Sequence, residues 1–400
     1  MLEICIMSAH KTIIKPEIVT WLRQRLGLSE GEFAEKMQVS SETARKWECG
    51  ETTLTMNQAK RLSSLALVPF GILFLDVPPQ REINIPDFRS INNIQVTNYS
   101  PELEATVFEM QEKQDWYKSY LIDNGNPQLD YVGCITTHTP ISEVVQKIHN
   151  VLQIPADELD DCRNWEDYFD IIARYMEDAG VTVIRNGVVG NNSHRSLNVE
   201  EFRGFVLVDK FAPLIFINGK DSKNAQMFTF IHEFVHILLG ESGLIDVNML
   251  HGSSNRVEKY CNKVAAEFLV PQRDLRKLWQ TQNTIEDNLD NIFANLAKKF
   301  RVSSLVIIIR CKDLGLISSD CANIFWKKEM DKITAIKSQR GSGGNFYATL
   351  KYRVGITFAK TIISEVADNN ISYQDAFRLL HVKNTDKLIA LSQEVGLPIL

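Results

Sequence analysis

Residues 228–236 read FTFIHEFVH, an apolar stretch interrupted by two imidazoles and a carboxylate. No other segment constrains the fold so strongly. Helical spacing puts His232 and His236, four residues apart, on one face about one turn apart. Phe228, Phe230, Ile231, Val235 and Leu239 clothe the remaining faces, and Gly240 marks the helix end. A helix that is apolar on every other side belongs in a core, where unpaired imidazoles are costly. The chain must therefore enclose this helix and also supply partners for its polar groups. Upstream, Phe202–Val208 and Pro213–Asn218 read as two strands joined by a tight turn, so the helix is expected to lie against a small sheet.

The residue types name a chemistry. Neutral imidazole is a good zinc ligand, and His232-Glu233-x-x-His236 is the HExxH arrangement of zinc peptidases. Glu233 sits beside the pair, where its carboxylate can take a proton from a water made acidic by the ion. A catalytic zinc takes three protein ligands and keeps one open position. The next helical segment, RVEKYCNKVAAEFLVP at 256–271, offers Glu258 and Glu267. Nine residues, about 900° of helical rotation, put these two on opposite faces, so only one can point at the histidines. Glu258 is the expected third ligand. Asn262, one turn further on, would then orient a ligand histidine, and Glu267 would serve a structural or surface role. His194, His251, Arg256 and Tyr260 are candidates to steady an oxyanion, each with a plain surface role as the alternative.

Composition narrows the class. The chain has 400 residues, 44% hydrophobic and 24% charged, enough for two or three domains with their own cores. Its seven cysteines include no CxxC pair, which argues against a disulfide framework and against a thiolate zinc site. The longest apolar run, Leu65 to Leu75, is interrupted by Pro69 and is about half the ~20 residues of a membrane span. A cytoplasmic protein with no membrane partner is expected. The net charge of −6, from 44 Lys+Arg and 50 Asp+Glu, gives no hint of nucleic acid.

The N-terminal seventy residues reverse that hint. Pro16 suits a first helical turn, and Gly27 suits a helix end. Ser29 with Glu32 is a capping-box pattern opening a helix to about Met37, with Phe33, Ala34 and Met37 inward. After a short turn at Val39, Ser40 caps a third helix with Ala44 and Trp47 inward, ended by Gly50. Two short helices so joined form a helix-turn-helix, whose second helix can enter the major groove of DNA. Ser41, Glu42, Arg45 and Lys46 are then its outward residues: Arg45 to read guanine, Lys46 and Ser41 to touch phosphates. A small bundle with a solvated charged face is the competing reading. Residues 1–70 carry nine Lys/Arg against eight Asp/Glu, a net of only +1.

Beyond it, four prolines within 69–90 mark a connector, although Phe70, Leu73, Phe74 and Leu75 are too apolar to hang in water. Residues 101–121 have amphipathic helical spacing after Pro101. In the C-terminal third, 284–300 reads as a helix. The run Leu305–Ile309 is apolar nearly all round. That favours a buried element over a second helix-turn-helix with Arg301, Arg310 and Lys312 outside. Three glycines in 338–345, with no Gly-Lys-Ser/Thr following, make a joint and not a phosphate loop. Residues 352–367 and 372–395 look helical. Residues 331–400 hold nine Lys/Arg and six Asp/Glu, a net of +3, so head and tail are slightly basic around an acidic middle.

Two resemblances add to this reading. VSSETARKWECGE, within residues 16 to about 68, resembles the second half of an XRE-family helix-turn-helix, which implies operator DNA as partner and a dimer on a two-fold site. The stretch from NNSHRSLNVEEF through FTFIHEFVHILLGESGL, followed by EKYCNKVAAEFLVP, resembles the ImmA/IrrE family of zinc metallopeptidases. There HExxH is followed by a helix carrying a Glu, then a small residue and Asn or Asp, then AAE and Pro. The resemblance implies one Zn2+ per chain held by His232, His236 and Glu258, with Glu233 catalytic and Asn262 at the family's Asn/Asp position. Cys261 stands where Ala is usual, and Val264 where Phe is usual. This match covers about 185 to 275, and a looser one, to long members with an XRE domain, runs from IPDFRS to the C-terminus. It implies cleavage of a repressor or partner protein in a prophage, stress or toxin–antitoxin setting. The alternative is a non-proteolytic antitoxin or scaffold that binds a toxin through the peptidase fold. The expected architecture is α+β and mostly helical: a helix-turn-helix bundle at 12–76, a connector with an amphipathic helix at 77–130, a zincin-like domain with a small sheet at 131–282, and a helical region at 283–400.

Overall fold

The computed structural model describes residues 14–66, 68, 70–79, 99–155, 158–159, 162, 165–245, 256–282, 288–337 and 346–398. These residues divide into two compact units, one of residues 14–79 with 99–108, the other of residues 109–398. The fold is α+β and mostly helical.

In the first unit, α1 (Pro16–Arg25), α2 (Glu30–Met37), α3 (Ser41–Glu48) and α4 (Met56–Ala66) enclose one core. Ile18, Val19 and Leu22 meet Phe33, Met37, Trp47 and Leu62 there. The Ser29–Glu32 capping box forms in full: Glu32 N–H donates to Ser29 Oγ, and Ser29 N–H donates to Glu32 Oε2 at 2.9 Å. Gln38, in left-handed conformation, turns the chain from α2 to α3, where Ser40 Oγ accepts from Thr43 N–H. After a 3-10 turn at Phe70–Phe74, Leu73 is buried, but Phe74 and Leu75 stay partly exposed. Of the four apolar residues expected to pack there, two therefore do not, because the five-residue turn presents only one side to the core.

The helix α5 (Pro101–Asp123) contributes residues to each unit. The second unit continues with α6 (Ile141–Leu152) and α7 (Trp165–Asp178), then strands β1 (Thr182–Asn186), β2 (Val188–Val189), β3 (Asn192–Ser196), β4 (Gly204–Leu207) and β5 (Leu214–Asn218). Next come α8 (Lys223–Leu239), β6 (Gly243–Ile245), α9 (Arg256–Leu269) and α10 (Gln272–Gln280). The remaining helices are α11 (Leu289–Phe300), α12 (Ser304–Asp313), α13 (Ser319–Lys337), α14 (Phe346–Val354), α15 (Ile356–Ala367), α16 (Tyr373–Leu379) and α17 (Thr385–Glu394).

The sheet order is β1-β5-β4-β6, with β1 parallel to β5 and the other pairs antiparallel; β2 and β3 form a separate hairpin. The expected strands are β4 and β5, and each is buried along its full length, so one face packs on α8 and the other on further side chains. Phe202, Phe205 and Phe216 cluster within 6.1 Å between ring centres.

The apolar run 305–309 lies in α12, a buried helix. Arg310 is buried too: it donates to Val270 O at 3.2 Å and pairs with Glu267. The expected helix over 352–367 is two helices that break at Gly355 (φ +85). A Cβ there would meet Thr182 Cγ2 and Val183 O, both at 3.3 Å, so glycine lets the chain turn hard against β1. A second core joins α14 to α17, with Leu350, Phe358, Ile362, Leu379 and Leu388. The glycine-rich 338–345 lies outside the described residues.

Candidate metal centre

The motif helix α8 is buried on all sides: every residue from Gln226 to Leu238 is inside. Its end is held from outside the helix. Gly133 N–H donates to Ile237 O at 3.0 Å and Ile135 N–H to Leu238 O at 3.1 Å, answering two of the carbonyls that a helix end leaves open. Gly240 (φ +75) closes the helix, and a Cβ on it would lie 3.0 Å from Gly133 Cα.

On this scaffold His232, Glu233, His236 and Glu258 are all buried. The helix α9 packs across α8 and brings Glu258 and Asn262 to the two rings. The two Nε2 atoms lie 3.1 Å apart. Glu258 Oε2 is 3.0 Å from His232 Nε2, and its Oε1 is 3.2 Å from His236 Nε2. His232 Nδ1–H donates to Asn262 Oδ1 at 2.9 Å, which leaves the lone pair of Nε2 facing Glu258 and His236 in the neutral ring.

His232 Nε2 and the Glu258 carboxylate are both acceptors, so their convergence with His236 Nε2 at 3.0–3.2 Å needs a proton or a cation among them. Burial pushes His232 below its usual pKa against the pull of Glu258. Burial would lower His236 as well, but Cys261 and Glu258 hold it above its usual value. Burial alone would raise Glu258, yet the two imidazoles keep its carboxyl below the usual carboxylate range. Polar atoms remain unanswered all around: Glu258 Oε2, His236 Nδ1 and both oxygens of Glu233 make no hydrogen bond. Burial holds Glu233 well above the usual carboxylate range. Its Oε1 lies against β4, where a Cβ on Gly204 would stand 3.3 Å from it.

The donor set fits a divalent transition metal. A tetrahedral zinc site with bonds of ~2.0–2.1 Å has donor–donor edges of about 3.3 Å, close to the spacings present here. His232, His236 and Glu258 could hold such an ion, and so could His232, His236 and Cys261, whose donor atoms lie within 4.8 Å of one another. The absence of a CxxC pair is thus a poor guide for the thiols. Cys261 reaches the histidines because it follows Glu258 by three residues on one helix face.

The other candidates make their recorded contacts elsewhere. Tyr260 OH donates to Thr139 O at 2.5 Å, Arg256 contacts the His138 ring at 3.0 Å, and His194 is exposed on β3. His251 lies outside the described residues. Glu267 faces away, accepting from Gln272 N–H and pairing with Arg310. In the first unit Ser41, Glu42 and Arg45 are exposed on α3, and Lys46 donates to Glu42 at 2.7 Å.

Residues 176–312 match the family described as the IrrE N-terminal-like domain, peptidase M78. Residues 354–394 match a domain of unknown function, DUF8813. Among curated proteins, the type II methyltransferase M.MspI of a Moraxella species is 29% identical over 106 residues, 26% of this chain. The aligned part is 25% of that methyltransferase, so the likeness spans about a quarter of either chain. The stretch around α8 and α9, with its convergent histidines and glutamates, is thus similar to the IrrE N-terminal-like peptidase domain.

Proposed function

We propose that this chain is a zinc-dependent endopeptidase of the ImmA/IrrE kind, joined to a DNA-binding N-terminal unit. The observation that carries the reading is the meeting of His232, His236 and Glu258 with Glu233 buried and unpartnered beside them. In this reading the first three hold the ion, which when bound supplies Lewis acidity to a water and to the scissile carbonyl. Asn262 fixes the His232 ring so that Nε2 presents its lone pair. Glu233 takes the proton of the attacking water and passes it to the leaving amine. Both oxygens of Glu233 are without a hydrogen bond, so its carboxylate has no competing partner for that proton. The substrate is a repressor or partner protein, as the family resemblance implies.

Ser41, Glu42, Arg45 and Lys46 form the DNA-facing side of α3, on an operator bound by two copies. The ion pair between Lys46 and Glu42 leaves Arg45 as the principal cation of the four. An Arg45→Ala chain that retards operator fragments as well as the parent would overturn this part.

The complete burial of His232 and Glu233 favours a second reading, in which the fold binds a toxin partner and does not cut it. One experiment separates the two. Glu233→Gln should keep one zinc per chain and lose cleavage, whereas a scaffold carrying it would still neutralise its toxin in cells.

A further inference from the structure

A thiol that the reaction above does not use lies among the same atoms. Cys261 is fully buried, forms no disulfide, and its Sγ is within 4.8 Å of donor nitrogens of both His232 and His236. It sits between Glu258 and Asn262 on α9, so one helix face brings a carboxylate, a thiol and an amide to the two rings. A buried cysteine is ordinarily a small hydrophobe, and Cys311 in α12 is one, belonging to no group of three or more metal-ligating side chains among the described residues. Cys261 differs because its sulfur faces the two imidazoles on which Glu258 also converges, and Glu258 Oε2 makes no hydrogen bond.

Thiolate is a softer and stronger zinc donor than carboxylate or water. Sites with four protein donors are closed, whereas hydrolytic ones leave one position for water. We infer that Cys261 is a further protein donor to the ion held by His232, His236 and Glu258, so that the resting chain carries a closed, thiolate-containing site. The inference rests on the metal-site reading above. On binding, the thiol proton passes to solvent as the sulfur takes the place a water would hold, so Cys261 and the reacting water compete for one position. The family resemblance gives no such donor, because Ala is usual at this place.

The test loads the full chain with cobalt(II) and records its absorption. A near-ultraviolet sulfur-to-cobalt charge-transfer band is expected, together with visible bands of a four-coordinate ion. In Cys261→Ala the charge-transfer band should vanish and the visible bands should remain. Cobalt that binds in a His232-dependent way without the band overturns the inference and leaves the metal site standing. No stoichiometric cobalt uptake overturns both. Zinc-edge X-ray absorption of the unsubstituted chain decides the same point without any variant, since sulfur in the first coordination sphere is either present or absent.

Discussion

Two carboxyl groups in the second unit are both pushed upward by burial, and their surroundings differ completely. Glu177, at the end of α7, accepts from Ile356 N–H at 3.0 Å, Thr357 N–H at 3.3 Å and Thr357 Oγ1 at 3.0 Å. It answers open donors at the start of α15 and so ties the C-terminal helices to the sheet domain. Burial nonetheless pushes it up to about 7, against the pull of those hydrogen bonds. Glu233 is sealed more tightly and has no partner on either oxygen. A satisfied, half-buried carboxyl is architecture. An orphaned one, placed beside two imidazoles, is held ready for a group that the fold does not itself supply.

The contrast can be broken in four places. The largest effect is expected at the orphan: Glu233→Gln should lower cleavage by roughly 10²–10⁴-fold with metal content unchanged, measured on purified protein with a candidate repressor. Parental cleavage would remove Glu233 from the chemistry. Next is Asn262→Ala, which frees the His232 ring to rotate. Metal affinity should fall by about 10–100-fold in a competition titration with a chromogenic chelator, and an unchanged affinity would leave the amide with no orienting role.

The third test concerns pH. Folded Glu177 keeps its proton up to about 7, while the unfolded chain releases it near the usual 4.5. Between those values the folded state binds more protons, so stability is full below the lower value and declines as pH rises through the higher one. The decline should be on the order of 2 kcal/mol, allowing for the solvent that still reaches this half-buried group. Glu177→Gln should flatten it in urea titrations across the window; a slope that survives the substitution would place the effect elsewhere. The smallest change is Gly355→Ala, at the turn that Glu177 caps. Positive φ and a close backbone neighbour should cost roughly 1–2 kcal/mol, read as a lower unfolding midpoint.

Much of the site's geometry is legible from spacing alone. The four-residue step from His232 to His236, and the same step from Glu258 to Asn262, are local, and helix periodicity turns each into a shared face. The nine-residue offset that turns Glu267 away from Glu258 is equally local, and the structure pairs Glu267 with Arg310. The Ser29 capping box and strands β4 and β5 are readable for the same reason. What cannot be read depends on contacts between distant segments. The five residues of β1 carry no periodic signal of their own, and their parallel partner β5 begins about thirty residues later. Arg310 has the look of a surface residue until α9 supplies Glu267 and the carbonyl of Val270. Gly355 looks like one more helical position until β1 crowds it. Cys261 is the instructive case. Its three-residue step from Glu258 is plain in the sequence and sets it near the expected metal, but without a CxxC pair nothing there marks the thiol as a donor.

The meeting of Gly133 and Gly240 has a consequence for how this chain can change over time. Both have positive φ, at +73 and +75, so any other residue is strained at either place. The crowding is one-sided: a Cβ on Gly240 would stand 3.0 Å from Gly133 Cα, whereas one on Gly133 would reach only ordinary contact at 3.7 Å. No change at 133 can make room for a side chain at 240, because a glycine has nothing left to remove. Position 240 therefore has no compensating partner, while position 133 answers only to its own backbone. A library randomised at both should return glycine almost alone at 240 and, at 133, glycine with some asparagine, whatever reaction the nearby histidines serve.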